Sequence, residues 1–123
     1  MSEVRINRET MEIEIDAEKF AEWMLKNERV VEDALAGHPT LDPLALYITA
    51  SMRGKQIASI GLETGVVCFK PDSSGEYFTL PDWTVNFESA LVWRCGGREK
   101  PVRSVDVALE ALADALWLEC VKA

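Results

Sequence analysis

From Met11 to Asp16 the chain reads Met-Glu-Ile-Glu-Ile-Asp, a strict alternation that predicts a short strand with one apolar face. Asp16 suits the cap of a following helix, with Glu18 in the first turn. Phe20, Met24, Val31 and Leu35 give that helix a core stripe, and Trp23, Val30 and Ala34 widen it. Gly37 followed by His38-Pro39 stops it near Ala36. Beyond the loop 38–43 the pattern is ambiguous. Leu44, Leu46, Ile48, Ala50 and Met52 alternate with Ala45, Tyr47, Thr49 and Ser51, as in a strand. Gln56, Ala58, Ile60 and Leu62 continue that alternation, which favours a hairpin turning at Arg53-Gly54-Lys55. Asp42, Pro43 and Gly54 are the start and stop signals of a rival short helix.

Val66 to Lys70 reads as a strand, Pro71 to Gly75 as a turn, and Glu76 to Leu80 as the antiparallel return. Pro81-Asp82 breaks the pattern before an irregular stretch around Trp83, and Glu88 to Cys95 reads as a last strand ended by Gly96-Gly97. Ser104 to Ala123 is a helix, capped by Ser104 with Asp106 near the positive end of the dipole. Val105, Leu109, Leu112, Leu116 and Cys120 form one apolar stripe, with a flatter face of Ala108, Ala111 and Ala115 beside it. Asp106, Glu110 and Asp114 form the polar row, bordered by Trp117 and Val121. A helix apolar around most of its circumference needs partners on two sides. Self-association as a homodimer through Leu112, Leu116, Trp117 and Leu118 is therefore expected.

These elements add to a single α+β domain over 1–123, in strand–helix–β-meander–helix order. The expected fold is an antiparallel sheet of four to five strands with two long helices packed on one face. No apolar run approaches the roughly 20 residues of a membrane span. Three dispersed cysteines, Cys68, Cys95 and Cys120, argue against a disulfide framework and for a cytoplasmic location. They lack zinc-site spacing, and at predicted strand and stripe positions they read as small buried hydrophobes.

Charge narrows the function. The net charge is −8, yet Arg94, Arg98, Lys100 and Arg103 against Glu99 make residues 94–103 a +3 island, leaving −11 elsewhere. A chain so acidic repels a polyanion at long range and suits a basic protein partner. Glu12, Glu14 and Asp16, spaced about 6.6 Å apart along one strand face, with Glu18 and Glu22 on the next helix, form an acidic face able to imitate a phosphate backbone. The alternative is a nucleic-acid or phosphate-binding module, with Arg53 and Lys55 converging on Arg94, Arg98, Lys100 and Arg103. The Cys95-Gly96-Gly97-Arg98 segment lacks the spacing of a phosphate loop. His38, the only histidine, reads as a polar loop residue. No catalytic constellation, metal set or cofactor motif stands out. The expected function is thus a non-enzymatic acidic interaction module of the inhibitor or adaptor type.

Overall fold

The computed structural model describes residues 4–52, 56–61, 65–70 and 77–122. It is an α+β fold with five helices and a mixed sheet. In chain order the elements are β1 (Val4–Asn7), β2 (Glu12–Ile15), α1 (Ala17–Lys26), α2 (Glu28–Asp33), α3 (Pro43–Ser51), β3 (Gln56–Gly61), β4 (Val66–Lys70), β5 (Tyr77–Thr79), α4 (Asp82–Cys95) and α5 (Val105–Lys122). The strand order is β1-β2-β5-β4-β3. Every pairing is antiparallel except β2 with β5, which run parallel, so the all-antiparallel sheet expected from sequence is corrected. The parallel join is short: Glu12 stands opposite Thr79, and the Thr79 N–H donates to the Met11 carbonyl at 2.8 Å.

The sheet begins with a hairpin that the sequence pattern did not reveal. Asn7 turns the chain, its Oδ1 accepting from the N–H groups of Glu9 (3.0 Å) and Thr10 (3.3 Å). Val4 then pairs with Ile15 and Ile6 with Ile13, placing their apolar side chains toward the core. Glu12 and Glu14 face solvent, and in β5 Phe78 is buried while Tyr77 and Thr79 are exposed. The helices therefore cover one face of these strands.

Four further expectations are corrected. The first helix does not run unbroken to Ala36. Asn27 leaves helical geometry at φ −127°, ψ 46°, and its side chain donates to the Trp23 carbonyl at 2.8 Å, separating α1 from α2. Past Asp33 the backbone extends to exchange hydrogen bonds with the α4–α5 connection: Ala36 with Lys100 and Glu99, and Ala34 with Val102. That pairing, absent from any local signal, ends the helix.

Residues 43–51 form a helix and not the first half of a hairpin. Asp42 caps it, its Oδ1 accepting from the Ala45 N–H at 2.7 Å, and Pro43 occupies the first turn. Leu44, Ala45, Tyr47 and Ile48 are all buried, so both strand-like parities are apolar. A helix buried on most sides loses its period of 3.6, and the cap and proline were the better guides.

Residues 88–95 are likewise helical. Trp83, Phe87 and Leu91 recur every four residues on the buried side of α4. Gly96, at φ +85°, closes that helix with backbone bonds back to Trp93 and Val92. In α5 the Ser104 hydroxyl accepts from the Asp106 N–H at 3.2 Å. Ala108, Ala111 and Ala115 are fully buried, with Val105 and Leu112 beside them, while Cys120 is exposed. The alanine face is the one that meets the protein's own core, where α5 lies against α4. Cys120 is thus a surface residue, contrary to the expectation of burial.

Phe20 of α1 stands at the centre of the core. Its ring lies 5.1 Å from Tyr47 of α3, 5.2 Å edge-on from Phe87 of α4 and 6.1 Å from Trp83. Replacing Phe20 with Ala is expected to cost about 3–5 kcal/mol through lost burial and an unfilled cavity. Val30→Ala, on the exposed side of α2, is expected to cost below about 0.5 kcal/mol. Urea midpoints of the two variants check the contrast, and equal midpoints would remove Phe20 from the centre.

Candidate functional site

The two longest helices present aromatic rings to solvent. Trp93 on α4 is 80% exposed and Trp117 on α5 is 65% exposed, with Leu118 beside it also exposed. Along α5, Asp106, Glu110, Ala113 and Trp117 are exposed and spaced to share one side of the helix. Trp117 therefore lies in the polar row itself and does not merely border it. Of the residues expected to mediate self-association, Leu112 is buried within its own chain and Leu116 packs partly against the core. Trp117 and Leu118 alone stand clear.

The basic island is divided. Arg94 turns away from its neighbours and joins α4 to α5. Its Nη1 meets Glu110 Oε2 at 2.8 Å, and its Nη2 and Nε meet Asp114 Oδ2 at 2.7 and 3.0 Å. These carboxylates neutralise the guanidinium, so Arg94 is not an open anion contact. Arg98, Lys100 and Arg103 are exposed on the connection, and Arg53 and Lys55 lie outside the described residues. The acidic face is also partly spent. Asp16 Oδ1 caps α1, Glu22 pairs with Lys19 at 3.6 Å, and Arg5 stands opposite Glu14 in the hairpin. Glu12 and Glu18 remain open to solvent.

A second cluster went unseen in the sequence. Asp42 at the start of α3 and Glu88 in the middle of α4 are buried, 1% and 2% exposed. They face each other within hydrogen-bonding range. Burial raises the Glu88 carboxyl well above the usual value, and the adjacent Asp42 charge raises it further, with Arg98 as a weaker opposing influence. Burial also raises Asp42, against the bond from Glu88 and the amides of Ala45 and Leu44. His38 overlooks Asp42 from the loop. Its Nδ1 accepts from the N–H groups of Thr40 and Leu41, both at 3.1 Å, which leaves the proton on Nε2, 3.9 Å from Glu99 Oε1. The only sequence signal was the Asp42-Pro43 cap; the strand reading of 88–95 hid Glu88.

Cys95, half-buried at the end of α4, has its thiol pushed up by burial, with Arg103 opposing, which makes it a poor nucleophile. Among the described residues no group of three or more His, Cys, Asp and Glu is placed to hold a metal ion. No described helix is long and apolar enough to cross a membrane. No protein-family model matches the chain, and neither a curated protein nor a solved structure shows significant similarity to it.

The Arg94 bridge makes a direct prediction. Arg94→Ala should lower the urea midpoint at low salt and leave it nearly unchanged at about 1 M salt, where the screening length is about 3 Å. A deficit that persists undiminished in high salt would assign Arg94 a packing role instead.

Proposed function

We propose that this protein is a non-enzymatic interaction module that binds a basic segment of another protein through the outer side of α4 and α5. The observation that carries this reading is Trp117, a large ring held in solvent within a row that also presents Asp106 and Glu110, the latter already shared with Arg94. An exposed tryptophan offers apolar area with little side-chain entropy to lose, and it is among the residues that dominate binding interfaces. Flanking carboxylates select lysine and arginine and speed their approach. Leu118 beside Trp117 and Trp93 on α4 are further exposed apolar side chains. A partner segment with basic and apolar side chains fits this chemistry, in keeping with an inhibitor or adaptor.

A second copy of the chain is the competing occupant, through Trp117 and Leu118. Bringing two copies of a chain of net charge −8 together along an acidic row opposes that arrangement. The phosphate or nucleic-acid reading retains Arg98, Lys100 and Arg103 as its contacts, without Arg94.

The test is titration of the full chain with a synthetic amphipathic Lys/Leu peptide, followed by tryptophan emission, beside native mass spectrometry of the protein alone. Binding should weaken at least about tenfold in Trp117→Ala and fall steeply as salt rises. Affinity indifferent to both changes would overturn the proposed surface. A dimer in the native spectrum, lost in Trp117→Ala, would favour the second copy. Oligonucleotide binding abolished by Arg98→Ala with Lys100→Ala would favour the anion reading.

A further inference from the structure

Asp42 and Glu88 are not needed for the surface just described, and both are buried in the interior. The Glu88 oxygens and Asp42 Oδ2 are shielded from solvent, and among the described residues no N–H or hydroxyl group donates to them. Asp42 Oδ1 alone has a backbone donor, the Ala45 N–H at the start of α3. Two carboxylates cannot both carry charge side by side in a dry interior, since each ion loses hydration and repels the other. One proton held between them removes the repulsion and the desolvation of one ion: a neutral Glu88 donates to an ionised Asp42, whose remaining charge is held by the α3 amides.

We propose that Asp42 and Glu88 form a one-proton latch, tying the start of α3 to the middle of α4, that makes the fold tighter in mild acid than in mild alkali. Among the described residues, two charged or titratable groups act on the latch from outside it. His38 approaches Asp42 from the 34–42 connection, and Arg98 approaches Glu88 from the α4–α5 connection. Glu99 faces His38 rather than the pair. Beside the latch α3 supplies the amides of Leu44 and Ala45, and α4 supplies Glu88 itself.

The direction of the effect follows from proton linkage. The unfolded chain releases the Glu88 proton near the ordinary value of 4.5, whereas the folded chain keeps it to a higher pH. Between those two values each rise in pH favours the unfolded state. The latch contribution is complete below the ordinary value and is lost as pH climbs through the raised one. The two connections joined by the Ala36–Lys100 and Ala34–Val102 backbone bonds carry His38 and Arg98. Among the described residues, Arg98 is a cation whose charge favours an ionised Glu88.

Glu88→Gln is the decisive variant, because its amide donates to Asp42 as the protonated acid does but cannot lose its proton. Urea unfolding from about pH 5 to pH 8 should show the wild-type folding constant falling at least about tenfold further than that of Glu88→Gln. The variant should match or exceed wild type at the upper end, and Arg98→Ala should deepen the wild-type fall. Parallel pH profiles for wild type and Glu88→Gln overturn the latch. Should Glu88→Gln not fold, carbon-13 carboxyl titration of the wild-type protein decides. A glutamate resonance titrating well above its neighbours supports the latch, and all carboxyls titrating in the ordinary range refute it.

Discussion

Phe20 sets the terms for the rest of this molecule. It is fully buried and meets rings from α3 and α4, while Trp23 in the next turn of α1 stacks against Tyr47 at 5.4 Å. Aromatic pairs at these separations add about 0.5–1.5 kcal/mol each beyond the area they bury. More important is their reach across elements far apart in sequence. With three helices drawn around one ring, α3 is enclosed on nearly every side and α4 must turn Phe87 and Leu91 inward.

The buried carboxyl pair is a consequence of that enclosure. Glu88, four residues after the buried Thr84, lies on the inner side of α4 and is enclosed with it. Asp42 has a local duty as the cap of α3, and the dense packing of that helix carries it inside as well. An apolar pair of similar volume would serve stability at least as well at neutral pH. Retention of two acids there is the kind of local conflict that marks a position held for something besides folding.

The outer side of the molecule follows a different logic. Arg94 holds α4 and α5 together at the rim through Glu110 and Asp114, and the alanines of α5 allow the two helices to approach closely. Because that seam is made of small side chains, the large ones of α5 are left over. Leu112 enters the core, Leu116 reaches its edge, and Trp117 and Leu118 remain outside. The same helix thus completes the fold with one side and exposes its most adhesive residues on the other.

Elements governed by their own residues were legible in the sequence. The alternation of β2, the Asp16 cap of α1, the β4–β5 return and the whole of α5 each carry a local signal strong enough to decide them. Where burial is complete the signal disappears, because a helix apolar on all sides and a buried strand look alike. For that reason α3 and α4 resembled strands, although Asp42-Pro43 and Gly96 marked their true ends. The parallel join of β2 to β5, the truncation of α2 by pairing with residues 99–103, and the division of Arg94 from Arg98 depend on partners distant in the chain. So does the meeting of Asp42 with Glu88. Sequence alone determined an acidic α+β chain with a surplus of apolar surface on its last helix. Tertiary structure decided which of those apolar residues stayed in water and which two acids did not, because burial depends on what packs around a residue.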